Sequence, residues 1–458
     1  MEDPQQNVEF DSASREDLIG FILELRQIVA QQAKRIAELE DHLGLGGGSG
    51  SAPVSIKSSR KKTGTSKNKR KPRHQQFSRK REKPTRRIDH RAHSCPDCGR
   101  TLPKGSPKRS RQVIDFVPAP VEITEHVIHE HWCGVCQKKI TAQVDFSKYV
   151  SGRRRIGHNL VSWIAYLSIE AKMGVRPIQA LLKQLCSIHI SIGEIRDLLK
   201  LVANKAEPTL ESFKQEIRNA DCLHADETGW RENGEYRCLW SLSTPTTRWF
   251  HIDAHRSAEV AIRLIGEYFQ GILVTDFYCV YNKILSKHQR CWPHFHRALE
   301  ELRLHPLISP QIEEWINSIL NLWHEGRQYR KFCLTQPRFG ASVFDRRRKR
   351  RQLEKALTSL VEPYWEADKE THPQATLARR AGIFMNELFT FVEYPHVPDD
   401  NNAAERAIRP AVIARKICGG TRSENGTHTK AALMSLFATW KVRGLDPILQ
   451  CRTILVTA

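Results

Sequence analysis

Three acids and four cysteines are the residues of this chain best placed to do chemistry. Asp226 follows a short apolar run in "CLHADETGW", with Glu227 directly beside it. Asp276 closes "GILVTD", and Glu405 falls just inside the helical pattern of "DDNNAAERAIRPAVIARK". Carboxylates at such positions are fixed by the backbone yet open to a ligand, and clustered oxygen donors suit a hard divalent cation. A lone Asp after a strand means little, because Asp is a common turn residue. The cysteines come as Cys95 and Cys98 in "CPDCG" and Cys133 and Cys136 in "CGVC". Each pair lets two thiolates grip one ion from a tight turn, and two pairs joined by strand-like sequence make a four-Cys zinc ribbon. A redox pair is the alternative and needs a different context. His126, His129 and His131 lie near the second pair, but four sulfurs already fill a tetrahedron. They read as polar or strand-edge residues.

The acids need elements to bring them together. From residue 222 the pattern is strand-like ("CLHAD", "YRCLWSLS", "TRWFHID"), then helical ("SAEVAIRLIGEYF"), then apolar again up to Asp276. This β-β-β-α-β order, with acids ending the first and fourth strands, is the layout of an RNase H-like fold. Those two strands are neighbours in its sheet, so both carboxylates can reach one metal. A later helix should supply the third acid. The Asp-Asn run before it is a good N-cap cluster, and Glu405 follows in the first turn. Arg409, four residues on, shares its face. An ordinary capped helix with an exposed Glu405–Arg409 pair is the plainer alternative.

The flanks suggest a polyanion partner. The chain of 458 residues carries a formal charge of +21, and residues 51–115 hold 21 Lys or Arg against four acids. From Ser55 to about Arg91 there is almost nothing apolar, so this stretch should track phosphates rather than pack or read bases. Before it, Leu18, Ile22, Leu25, Val29, Ile36, Leu39 and Leu43 follow the three-and-four step of a coiled-coil seam. A glycine-rich run follows at once and detaches that helix, which favours self-association over packing on its own domain. "RPIQALLKQLC", "SIHI" and "SIGEIRDLLKLVANKA" read as helix, turn and helix, with Ser191 as N-cap and Glu194 at capping-box distance. Such a pair resembles a helix-turn-helix, although helix pairs are common in any α-rich domain. The most apolar run, "LVSWIAYLSI", is about half the length of a membrane span. The acidic, polar start is no signal peptide.

"HADETGW", "VTDFYCVYN", "CWPHFHR", "DDNNAAERAIRP" and "KICGGTRSENG" resemble, in order, the signatures of bacterial DDE transposases of insertion-sequence family sixty-six. The resemblance places the family's catalytic triad on Asp226, Asp276 and Glu405. It implies two Mg²⁺ ions (Mn²⁺ in substitution), with Asp226 bridging both and the other two acids each completing one site. Glu227 belongs to the motif as a helper carboxylate. Cys291 and His294 fit a CxxH motif found after the second acid in several transposase superfamilies. They could form a zinc half-site, but with two ligands in sight a packing or hydrogen-bonding role is preferred, and His296 is a weak further candidate. Arg346, Arg347, Arg348, Lys349 and Arg350, from "RRRKRR", could clamp phosphates or form a solvated helix face. Arg406, Arg409, Arg415, Lys416 and Arg422 keep the approach to the triad positive, and Gly419 and Gly420 let backbone come close to a strand or phosphate.

The sequence therefore predicts a multidomain α/β protein. A coiled coil (1–45), a basic linker (46–92), a zinc ribbon (93–148) and a helix-turn-helix-like domain (149–218) precede an RNase H-like core (219–284 and 396–458) interrupted by a helical insertion (285–395). The expected function is a DNA transposase using Mg²⁺ for cleavage and strand transfer, with structural Zn²⁺. Expected partners are double-stranded DNA (terminal inverted repeats and target), a second copy through the coiled coil, and accessory transposition proteins, with no membrane. The expected location is the cytoplasm, at the nucleoid. A nuclease without strand transfer and a silent DNA-binding regulator are the alternatives.

Overall fold

The computed structural model describes Arg87 and residues 96–101, 121–133, 135–335 and 341–457. The expected coiled coil, all of the basic linker but Arg87, and Cys95 lie outside the described residues. The chain divides into two compact units, Met1–Val113 and Ile114–Ala458. In the first, Cys98 is exposed in a turn.

The second unit begins with an antiparallel hairpin, β1 (Glu130–Cys133) and β2 (Lys138–Thr141). Four amphipathic helices follow: α1 (His158–Ile169), α2 (Val175–Cys186), α3 (Ile192–Lys205) and α4 (Glu207–Arg218). Ser191 caps α3 by accepting from Glu194 N at 3.0 Å. The helices close no core of their own. Ile164, Ile178, Leu198, Val202 and Phe213 share one buried cluster with Leu223, Trp240, Leu273 and Phe437 of the sheet and its covering helix. The boundary expected at 218/219 is thus a change of secondary structure inside one core, because the apolar stripes of these helices are buried against the sheet.

That sheet comprises β3 (Cys222–Glu232), β4 (Glu235–Ser243), β5 (Arg248–Asp253), β6 (Tyr268–Thr275) and β7 (Leu285–Arg290), in the order β5-β4-β3-β6-β7. Helix α5 (Ala258–Ile265) precedes β6. Asn233 and Gly234, both at positive φ, make the tight turn between β3 and β4. The first and fourth strands are parallel neighbours, with Cys222 opposite Ile272 and His224 opposite Val274. Gly271 permits this approach, since a Cβ there would stand 2.1 Å from Ala220 O.

One expectation is corrected at β7. It is a sheet strand, so the helical insertion starts after it and not at 285. Its sequence, LSKHQR, hides the fact because His288, Gln289 and Arg290 are buried through polar bonds, not apolar packing. The insertion then runs through α6 (Trp292–Leu302), α7 (Pro310–Thr335), α8 (Val343–Val361) and α9 (Ala375–Ile383), with further single turns up to Glu393. It has its own core, around Phe295, Ile316, Leu357 and Phe391, with Trp292 and Trp323 stacked 5.6 Å apart.

Helices α10 (Asn402–Cys418), α11 (Glu424–Val442) and α12 (Pro447–Thr457) complete the chain. Ile408 and Ala411 of α10 pack on Trp230, Leu239 and Phe250 of the sheet. Edge strand β5 is covered by α11: Arg248 N donates to Thr439 Oγ1 at 3.0 Å and Phe250 N to Ser435 Oγ at 2.9 Å. Among the described residues, no helix is long and apolar enough to cross a membrane.

Candidate active site

Asp226 does not end its strand, since β3 runs on to Glu232. What ends is the pairing beside it: His224 is the last β3 residue paired with β6, and β6 stops at Thr275. Asp226 therefore stands in a strand made rigid by β4 on one side and open on the other. Fifty positions separate Cys222 from Ile272, and the same fifty separate Asp226 from Asp276. The two acids thus keep the offset of one parallel register, Asp226 within β3 and Asp276 just past the end of β6. Asp276 Oδ1 accepts from Tyr278 N at 2.9 Å. Its carbonyl accepts from Arg290 Nη1 at 2.9 Å, and the same guanidinium donates to Thr275 Oγ1 at 3.0 Å and Asn282 Oδ1 at 2.6 Å. Arg290 is fully buried and also pairs with Glu387. This cation fixes the turn that presents Asp276, and a polar edge strand gives no sequence signal of it.

Asn401, at the N-cap position of α10, makes no side-chain cap. Its side chain crosses to β3 instead: Nδ2 donates to Ala225 O at 2.8 Å, and Oδ1 meets His224 Nδ1 at 3.1 Å. Its backbone N–H donates to Cys291 Sγ at 3.2 Å. One buried residue therefore ties the start of the Glu405 helix to the residue before Asp226 and to the start of α6. "DDNN" signals a helix start in the sequence, but the choice of a tertiary partner over the cap is invisible there. Glu405, a turn further on, is turned toward His294, with Oε1 3.8 Å from Nδ1, and makes no ion pair with Arg409.

Asp226 feels the other acids. Burial, followed by the like charges of Glu227, Asp276 and Glu405, pushes Asp226 from 3.8 up to about 7, although Glu227 N donates to its Oδ1 at 2.9 Å. A partly buried carboxylate crowded by like charges that a cation would offset fits a hard divalent ion. Glu227 is placed differently. Strand alternation turns it to the other face, where Oε1 accepts from Arg256 Nη2 at 2.6 Å and Oε2 from the Tyr281 hydroxyl. Burial still raises its pKa. With both oxygens engaged, it braces the sheet.

Cys291 is fully buried, and burial pushes its thiol up to about 12. His296 lies 3.7 Å from Glu300 and tilts against Trp323. The basic run in α8 is largely spent inside the insertion. Arg346 donates to the carbonyls of Glu393 and Ala341, and Arg347 and Arg350 flank the Glu393 carboxylate, each at 2.9 Å. Lys349 pairs with Glu325. Burial alone would raise Glu393, yet the two arginines outweigh it and its pKa is lowered. Arg347, Lys349 and Arg350 thus pair with acids of the insertion, while Arg348, 3.0 Å from Asp345 and with a side chain 83% exposed, projects into solvent. Arg350→Ala is expected to cost about 2–3 kcal/mol in urea unfolding by stripping a partner from a buried acid, while DNA affinity changes less than about twofold.

On α10 and beyond, Arg406, Arg409, Lys416 and Arg422 are exposed, whereas Arg415 donates to Gly229 O. Gly420 approaches a strand: a Cβ there would meet Arg231 O at 2.1 Å, at φ +92. Thr421 N then donates to Arg231 O at 2.9 Å, docking the loop after α10 on the end of β3.

In the hairpin, Cys136 N donates to Cys133 Sγ at 3.4 Å. Hydrogen bonds from the Cys136 and Val135 backbone and from the Cys136 side chain lower the Cys133 pKa. N–H groups directed at sulfur favour the thiolate, the form that binds zinc.

The chain matches three uncharacterised proteins of Sinorhizobium fredii (strain NBRC 101917 / NGR234). With y4qI it is 25% identical over 48% of this chain and 41% of the relative. With y4jO it is 30% identical over 35% and 46%, and with y4jD 21% identical over 79% and 73%. The chain thus spans less than half the length of the first two. The profile described as zinc-finger binding domain of transposase IS66 matches residues 93–137, which include all four cysteines of the ribbon. The profile described as Transposase IS66 family matches residues 153–429, a stretch that contains Asp226, Asp276 and Glu405, and on that match the chain belongs to the IS66 family of transposases.

Proposed function

We propose that this protein is a working DDE transposase: it cleaves DNA at the ends of its element and joins the freed 3′ ends to target DNA. The observation that carries the reading is that Asp226, on β3, feels the charges of Asp276, just past the end of β6, and of Glu405, on α10. The strand order β5-β4-β3-β6-β7 supports an RNase H-like core. Asp226, Asp276 and Glu405 would hold two Mg²⁺ ions, or Mn²⁺ in their place. When bound, such ions activate the attacking oxygen and neutralise charge on the leaving one. The chain's own part is to fix the donors: Arg290 holds the Asp276 turn, and Asn401 holds Glu405 against β3. The exposed cations of α10 and its following loop would take the phosphates.

The zinc ribbon and the α2–α3 pair would bind the terminal inverted repeats as double-stranded DNA. The N-terminal heptads would pair two or more copies, since two ends must be joined in concert. Accessory transposition proteins and a site of action at the nucleoid in the cytoplasm belong to the same reading. The test offers pre-cut element ends and a supercoiled plasmid with Mg²⁺. Covalent joining is expected. Cutting without joining would make the protein a nuclease, and binding without either reaction a regulator.

The zinc ribbon yields a separate expectation. Metal analysis should find one zinc per chain, and Cys133→Ala should lose it. End binding in a mobility-shift assay should then weaken at least about tenfold, with the sheet core still folding cooperatively.

A further inference from the structure

His294 lies in the first turn of α6, three residues after Cys291. Its Nδ1 is enclosed and has no hydrogen-bond partner. Glu405 Oε1 faces it at 3.8 Å, too far for a hydrogen bond. Two donors each about 2.1 Å from one ion stand about 3–4 Å apart. Among the described residues, Cys291, His294 and Glu405 are the single group of three whose ligand atoms all lie within 4.8 Å of one another. The Cys291 sulfur is fully buried, whereas the His294 and Glu405 side chains are partly exposed, so an ion arriving from solvent meets the imidazole and the carboxylate.

We infer that His294 is a fourth metal donor of this site, forming with Glu405 a position that takes Mn²⁺ in preference to Mg²⁺. The inference rests on reading Glu405 as an acid of the catalytic site. It changes what that site is: three carboxylates alone are an all-oxygen set matched to Mg²⁺, whereas an added imidazole nitrogen shifts preference toward first-row transition metals. The local structure suits the role. Helix α6 and helix α10 both start from the Cys291–Asn401 contact, so the spacing of His294 and Glu405 is set by a single buried bond.

The test loads tag-free, full-length protein with one equivalent of Mn²⁺ and records its electron spin-echo envelope modulation, which registers nitrogen bound to the ion. Nitrogen modulation is expected in the parent protein, absent in His294→Ala and kept in Cys291→Ser, whose hydroxyl can still accept the Asn401 N–H. In titrations, His294→Ala should weaken Mn²⁺ binding at least about tenfold and Mg²⁺ binding less than about threefold. Should a variant fail to fold, parent protein labelled with ¹⁵N-histidine gives the same answer, because the modulation must change to the ¹⁵N pattern. Bound Mn²⁺ with no nitrogen modulation overturns the inference and leaves the three-acid site standing. Mn²⁺ binding that is unchanged by Asp226→Asn and Glu405→Gln overturns the acid site itself, and this inference with it.

Discussion

Asp226→Asn is expected to lower both end cleavage and strand joining at least about a thousandfold, about 4 kcal/mol of transition-state stabilisation. Binding to element ends should stay within about twofold. The size follows from position. Asp226 feels the charges of both Asp276 and Glu405, and in the proposed reading it is the acid that would serve two ions at once. Amide for carboxylate keeps the shape of the side chain and removes the charge. Single-turnover joining of pre-cut ends measures the effect, and near-parental rates would sink the catalytic reading.

The same substitution has a stability signature with a defined sign. In the folded, metal-free protein, burial and like charges raise Asp226 from 3.8 to about 7. A group raised on folding favours the native state below its unfolded pKa, and that contribution is lost as pH rises through the folded one. Metal-free parent should therefore lose stability relative to Asp226→Asn between about pH 4 and pH 7, by about 2–4 kcal/mol. Thermal melts at pH 5 and pH 8 measure the difference, which added Mg²⁺ should shrink at pH 8. A gap that does not grow with pH would contradict the charge crowding described here.

Asn401→Ala is the second large effect, and it separates positioning from chemistry. The variant strips the Ala225 carbonyl and the His224 ring of their partner inside a buried junction, at a cost of about 2–4 kcal/mol in unfolding free energy. It also releases α10 from β3, and a shift of about 1 Å between Glu405 and Asp226 should slow joining about a hundredfold. Asn401→Asp should fare no better, because a carboxylate cannot donate to Ala225 O. DNA binding should be spared in both. Loss of joining without loss of stability would place Asn401 in contact with substrate, not with the fold.

The features legible in the sequence were those written in local pattern. Alternating and apolar runs marked the first four core strands and the helix before the fourth, and the offset of Asp226 from Asp276 matched the register of β3 on β6. Ser191 was visible as a cap because capping is a bond to a residue three places on. β7 was missed because its buried face is polar. The partners of the basic run in α8 were not legible, because charge density looks the same beside a phosphate as beside Glu393, some forty residues away.

Taken alone, the sequence determined the residue types, four of the five core strands and the motifs that mark the family, since each is written in local pattern. Tertiary structure decided which polar groups meet. Asn401 abandons its helix for β3, Arg290 goes into the sheet to hold Asp276, Glu227 turns from the site to Arg256, and His294 faces Glu405. The physical reason is common to all four. A buried polar group must find a partner or cost about 1–3 kcal/mol, and that partner is set by packing between segments far apart in the chain.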